Sequence, residues 1–261
     1  MLLIVGLLLS LILIFKLSHM TKFLIKFLVL ASILAMPLVS IAKGEGGKKE
    51  RKYIVEITTT AGTIKVALSN LTPKHRDNFV KLCKKGYYDN VLFHRVIKGF
   101  MIQSGDPDSK AHEPGKLYGD GGPDYTIEAE FTPELYHKKG VLAAAREGDD
   151  VNPERRSSAS QFYIVTGKVY DDKMLAEAAR KIDKRNAAIN ITSSYIYTVE
   201  QMNAYKTIGG AAHLDSQYTI FGEVIEGMDI ADSISSVETD KNDRPTKDIY
   251  IIKTKVSKKQ L

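Results

Sequence analysis

Phe93-His94-Arg95-Val96-Ile97-Lys98-Gly99-Phe100-Met101-Ile102-Gln103-Ser104-Gly105-Asp106 is the most informative stretch of this 261-residue chain. Strand-forming residues flank Lys98-Gly99, a pair of the right length for a tight hairpin turn. Strands are predicted over residues 91–97 and 100–104. A loop rich in Gly, Pro and Asp follows over 105–124. Such a loop runs over the surface and is free to carry function.

Outward from this hairpin the chain reads mostly as short strands. Residues 53–59 and 63–68 alternate apolar and polar side chains around Ala61-Gly62, a second hairpin. Thr72 then caps a helix with Pro73 at its first position. Phe79, Leu82 and Cys83 fall at i, i+3 and i+4 on its buried stripe, and Gly86 ends it. Cys83 therefore reads as a small core residue, not a nucleophile. Further strands are predicted over 140–145, 161–166, 218–225 and 248–256, with a short helix over 227–234. Residues 171–212 differ. An Ala/Lys/Glu/Arg-rich run over 173–186 favours helix, and Thr198-Val199-Glu200-Gln201 has the capping-box pattern that opens another. Gly209-Gly210 stops it. The segment is a helical insertion in a strand-rich chain. Many short strands with two or three helices in about 200 residues imply a mainly β fold, a closed β-barrel.

The composition is that of an ordinary globular protein, with 44% hydrophobic and 26% charged residues. One cysteine excludes an intramolecular disulfide framework and any multi-cysteine metal site. The net charge of +6 would by itself hint at nucleic acid or an anionic membrane. Half of it, however, lies in residues 1–42, which hold Lys16, Lys22 and Lys26, no Asp or Glu, and 31 apolar residues. Lys22 and Lys26 precede the apolar run 27–39, which ends at Ser40-Ile41-Ala42, small residues at the −3 and −1 positions of a cleavage site. Residues 1–42 are thus predicted to be an export segment, with Met20 as a candidate true start. An uncleaved N-terminal membrane anchor is the alternative. Either reading puts the rest of the chain outside the cytoplasm, periplasmic or secreted. Residues 43–52, Gly- and Lys-rich, read as a flexible linker, and the folded domain is predicted to start at residue 53.

Several chemistries find no support. No histidine pair has zinc spacing on a helix and His-Glu-x-x-His is absent. There is no Gly-x-Ser-x-Gly elbow. Gly119-Asp120-Gly121-Gly122-Pro123 is turn chemistry rather than a dinucleotide fingerprint. Basic and acidic residues are interspersed, so no nucleic-acid stripe forms. No metal or cofactor is expected.

The segment 93–106 resembles the signature hairpin of the cyclophilins, the cyclosporin-type peptidyl-prolyl cis-trans isomerases. The resemblance continues through Gly140-Val141-Leu142-Ala143-Ala144-Ala145 and Ser158-Ala159-Ser160-Gln161-Phe162-Tyr163-Ile164. It resumes in Leu214-Asp215, Phe221-Gly222-Glu223-Val224 and Glu226-Gly227-Met228. It spans roughly residues 53–256 apart from the insertion, and points to a bacterial, exported member. The implied fold is a closed eight-stranded antiparallel barrel capped by two helices. The implied activity is rotation about X-Pro bonds in exported or unfolded proteins, with proline-containing peptides as ligands, no nucleic acid, a monomer, and membrane contact only if the leader stays.

By the same resemblance, Arg95 is the catalytic cation beside the prolyl amide and Gln103, on the partner strand, orients it. Phe100, Met101, Tyr163 and Leu214 match the pocket for the proline ring. Each read singly would be a core residue. Phe162, one position before Tyr163, points to the opposite face by strand alternation and belongs to the core. Ala145 and Gln161 match the groove for the residue before proline. Arg146 stands where many members have asparagine, a change that leaves backbone binding possible and alters selectivity. Tyr163 replaces phenylalanine and adds a hydroxyl that needs a partner. Tyr218 stands for a common histidine, and His213 for the tryptophan of cyclosporin-sensitive members, which implies weak cyclosporin inhibition. The insertion, entering just before Leu214, either extends the groove, offers a partner surface, or is decoration. A proline-binding module without turnover, and a membrane-anchored structural factor, are the competing functions. Arg95 with Gln103 favours the enzyme, since a pure binder need not keep that polar pair.

Overall fold

The computed structural model describes residues 51–260. The expected leader and nearly all of the expected linker lie outside the described residues. Arg51 and Lys52 do not belong to a linker: they open the first strand, β1 (Arg51–Thr59), whose register runs from Arg51 opposite Gln260. The strands that follow are β2 (Gly62–Leu68), β3 (Arg95–Ile97), β4 (Met101–Ser104), β5 (Thr126–Ile127), β6 (Val141–Ala144), β7 (Ser157–Ser158), β8 (Phe162–Val165), β9 (Ile220–Glu226) and β10 (Ile251–Gln260). The helices are α1 (Pro73–Lys84), α2 (Asp172–Ala188), α3 (Val199–Thr207) and α4 (Met228–Ser235). Among the described residues no helix is long and apolar enough to cross a membrane.

Eight strands form one antiparallel sheet in the order β10-β1-β2-β9-β6-β8-β4-β3. The expected closure into a barrel is not found, because β10 and β3 share no ladder. Short of a ladder, the segment ahead of β3 meets the start of β10 through an isolated bridge between Leu92 and Tyr250, with Asn90 N–H donating to Ile251 C=O (2.7 Å), Ile251 N–H to Val91 C=O (2.9 Å) and Phe93 N–H to Ile249 C=O (2.8 Å). The reason is local. β3 has three residues where seven were expected. Ahead of it, Leu92 N–H donates to Ser109 Oγ (3.0 Å) and Leu92 C=O accepts from Ser104 Oγ (2.9 Å), so the two backbone groups that point away from Tyr250 are met by side chains. β5 and β7 pair separately as a two-residue ribbon.

Strand alternation sorts the sheet's side chains into two apolar bodies. Ile102, Leu142, Ala144, Phe162 and Ile164 face the main core, where Phe79, Leu82 and Cys83 of α1 and Ala231 and Ile234 of α4 cover them. Met101, Val141, Ala143, Tyr163 and Val165 face the other way and pack with Leu214 and Ile220. Phe162 is edge-on to Phe79 at 5.4 Å and to Tyr88 at 5.5 Å, as its core assignment requires. Cys83 is buried, and burial pushes its thiol up to about 12.

Of the two helix starts read from sequence, one differs in the structure. Thr72 precedes α1, yet its hydroxyl makes no hydrogen bond. The first N–H groups are met from afar: Lys74 N–H and His75 N–H each donate to the Glu130 carboxylate at 3.0 Å. The capping box at Thr198 and Gln201 forms as expected. The insertion has its own small core, Leu175, Ala178, Ile182, Tyr197 and Tyr205, closed by Ala212.

Candidate active site

The hairpin β3–β4 places Arg95 opposite Gln103 in register, and β8 lies against β4 with Tyr163 opposite Gln103. On the second face of this sheet a cavity of about 120 Å³ opens. It is lined by Arg95, Phe100, Met101, Gln103, Ala145, Arg146, Tyr163, Leu214 and Tyr218, nine of the eleven residues singled out from sequence. A dry cavity of about 150 Å³ takes a benzene ring, so this one suits a five-membered ring. The two remaining residues stand directly behind the lining. Gln161 accepts from the Gln103 amide (3.1 Å) and itself donates to Gly119 C=O (2.6 Å) and Gly121 C=O (2.9 Å). His213 packs its ring on Phe100, centroids 5.4 Å apart. Burial, with Arg185 and Lys181 nearby, pushes the His213 imidazole down to about 4.

Two polar side chains of the lining have partners of their own. The Gln103 amide is held by Gln161 and makes no hydrogen bond to Arg95, whose place comes from strand pairing and from Asp243. Arg95 is half-exposed, with Asp243 Oδ2 at 3.6 Å from its Nε, so most of its donors face the pocket mouth or solvent. Arg146 does not project as a bulky cation. Its guanidinium is folded back 4.5 Å over the Tyr218 ring and donates to Gln217 C=O (2.8 Å) and Glu147 C=O (2.7 Å). Asp149 stands 2.7 Å from the same group. Among the described residues the Arg146 backbone N–H and C=O make no hydrogen bond, which leaves both for an extended peptide.

Two residues that sequence reasoning missed complete the pocket from behind. The Tyr163 hydroxyl, predicted to need a partner, meets His137 Nε2 at 2.9 Å. His137 is fully buried, and its Nδ1 lies 3.0 Å from Asp215 Oδ1. A carboxylate only accepts, so that nitrogen carries the proton. The one available signal was Asp215 itself, a buried-type acid next to Leu214 in a matching motif. Among the described residues no group of three or more His, Cys, Asp or Glu is placed to hold a metal ion.

Comparison with known proteins agrees with this geometry. Residues 54–256 match the family described as cyclophilin type peptidyl-prolyl cis-trans isomerase/CLD. A protein of Staphylococcus saprophyticus named as a peptidyl-prolyl cis-trans isomerase is 32% identical over 202 residues, covering 77% of this chain and 89% of its own length. A longer Streptococcus pyogenes protein, named as a bifunctional phosphatase/peptidyl-prolyl cis-trans isomerase, is 32% identical over 200 residues. That match covers 76% of this chain and spans 37% of the longer protein. Among solved structures, a cyclophilin type peptidyl-prolyl cis-trans isomerase of Cryptosporidium parvum superposes with a TM-score of 0.54 at 25% identity, over 79% of this chain and 98% of its own. A second crystal structure of that protein, in the presence of the dipeptide Ala-Pro, gives a TM-score of 0.52. By its sequence match, its relatives and its fold, this chain belongs to the cyclophilin-type peptidyl-prolyl cis-trans isomerases.

Proposed function

We propose that the chain accelerates rotation about X-Pro bonds in proteins that have left the cytoplasm, by non-covalent stabilisation of the twisted amide at the Arg95 pocket. Rotation is slow because the C–N bond has partial double-bond character, with a barrier of roughly 20 kcal/mol. No covalent bond breaks and no proton needs to move. A rate gain of about 10⁵ asks for roughly 7 kcal/mol of preference for the twisted state. Phe100, Met101, Tyr163 and Leu214 supply rigid apolar walls for the ring. Arg95 supplies a permanently charged fork of donors at the rim, which favours the pyramidal nitrogen or the localised carbonyl over the conjugated amide. The free backbone groups of Arg146 and the Gln103–Gln161 pair align the peptide on either side.

The observation that carries this reading is the meeting of Arg95 with a ring-sized apolar cavity in one pocket. The ligand class is a proline-containing peptide, unfolded clients included. The protein acts as a monomer without cofactor, nucleic acid or metal. Export is supported by the composition of residues 1–42. A prolyl isomerisation assay on a tetrapeptide tests the activity: Arg95→Ala lowers kcat/KM by several tens-fold, of order 2 kcal/mol, and equal rates in both proteins exclude the role given to Arg95. Sequencing the N-terminus of the protein recovered from its native compartment tests export. A chain that still carries Phe27 excludes cleavage and leaves the membrane anchor.

A further inference from the structure

The insertion meets the proline pocket through buried polar groups rather than at the surface. Asp215 is 1% exposed and has no Lys or Arg partner among the described residues. A buried carboxylate without a cation must be met by hydrogen-bond donors, and Asp215 has four. His137 donates twice to Oδ1, from its backbone N–H (2.6 Å) and from Nδ1 (3.0 Å). Tyr205 and Tyr195 donate to Oδ2, at 2.6 and 3.2 Å. Both tyrosines belong to the insertion. Burial, reinforced by the Asp215 charge, pushes both phenols far up, so they remain donors. On its other side, His137 reaches the Tyr163 hydroxyl at 2.9 Å, and the two rings lie nearly parallel, 15° apart. Tyr163 is a wall of the proline cavity.

The same insertion also holds the pocket's neighbouring turn. Tyr197 donates from its hydroxyl to Ala212 C=O (2.9 Å), and Arg185 from Nη1 to His213 C=O (3.2 Å). Gly210 is kept small by this arrangement, since a Cβ there would stand 2.3 Å from His137 C=O and 2.6 Å from the Tyr205 ring.

From this chain of contacts we infer that the insertion is a positioning element of the prolyl site: Tyr195 and Tyr205 fix Asp215, Asp215 fixes the tautomer and tilt of His137, and His137 fixes Tyr163 against the proline ring. His137 and Asp215 are positioning residues, since neither lines the cavity. The inference rests on the isomerase reading for its assay, and on proline-peptide binding for an independent one.

The test is a double-mutant cycle between Tyr205→Phe, which removes one hydroxyl and keeps the ring, and Tyr163→Phe, which cuts the link to the pocket. In the full chain, Tyr205→Phe lowers kcat/KM for a proline tetrapeptide about five-fold, a part of what one bond to a charged group is worth, because the loss reaches the pocket through Asp215 and His137. In the Tyr163→Phe background the same change costs less than about two-fold. The dissociation constant of an Ala-Pro-containing peptide, read from the NMR shifts of pocket aromatic protons, follows the same pattern. A structural role alone lowers the unfolding temperature equally in both backgrounds without any coupling in rate or binding, and that result overturns the inference. So does a far-downfield imidazole N–H resonance of His137 that is unmoved by Tyr205→Phe. If the wild-type chain binds the peptide with this coupling but turns over no prolyl bond, the isomerase reading fails and the positioning inference stands.

Discussion

At the residue scale the site is a study in what burial does to polar groups. His94, inside the signature hairpin, is 4% exposed and neither of its ring nitrogens has a partner. Burial pushes its imidazole down to about 4. An unfolded histidine titrates near 6.5, so between about pH 6.5 and 4 the unfolded chain binds the extra proton and the folded chain does not. Stability therefore falls as pH drops through that window. The His94 share is about 1.4 kcal/mol per pH unit, and about 3 kcal/mol once pH 4 is passed. Urea unfolding at pH 6.5, 5.5 and 4.5 should show a shallower loss for His94→Phe than for the wild type, and parallel losses would refute the assignment. Residue identity was also where the sequence spoke most clearly. The Phe162/Tyr163 alternation sends one ring to the core and the next to the cavity, and the added hydroxyl of Tyr163 called for a partner. Its partner, His137, lies 26 positions away and was invisible, because no local pattern links a loop histidine to a strand tyrosine.

At the scale of elements, what could be read depended on whether the stabilising contacts were local. The α3 capping box was legible because Thr198 and Gln201 are three residues apart. The α1 cap was not, since Glu130 arrives from a loop more than fifty residues on and displaces Thr72 from the role. The ribbon of β5 and β7, two residues each, has too few positions to show any period. The exit from β4 is tightly determined. Gly105 has φ 106°, and a Cβ there would stand 2.2 Å from Ser160 C=O, the same oxygen that accepts from the Tyr88 hydroxyl. Gly105→Ala therefore combines a forbidden backbone angle with a backbone clash between β4 and β8. It should lower stability by at least about 3 kcal/mol. A denaturation midpoint equal to that of the wild type would show that the two strands can part without cost.

At the scale of the whole molecule, one eight-stranded sheet divides two tasks between its faces. One face, with α1 and α4, forms the core. The other, with the turn at Leu214, forms the cavity. The sheet stops short of a sealed barrel at β3, which is three residues long and leaves only an isolated bridge, Leu92 with Tyr250, on the β10 side, a matter of tertiary position that strand propensity does not encode. The outermost pairing also settles how the fold responds to force. β1 and β10 are antiparallel neighbours with Arg51 opposite Gln260, so the first and last described strands begin and end side by side. Tension applied at residues 51 and 260 would peel this ladder one rung at a time, as a zipper opens, instead of loading all its rungs at once in shear. A client chain tugging on the pocket loads β4 and β8, each paired on both sides, whereas a pull on the two ends meets this terminal pairing first.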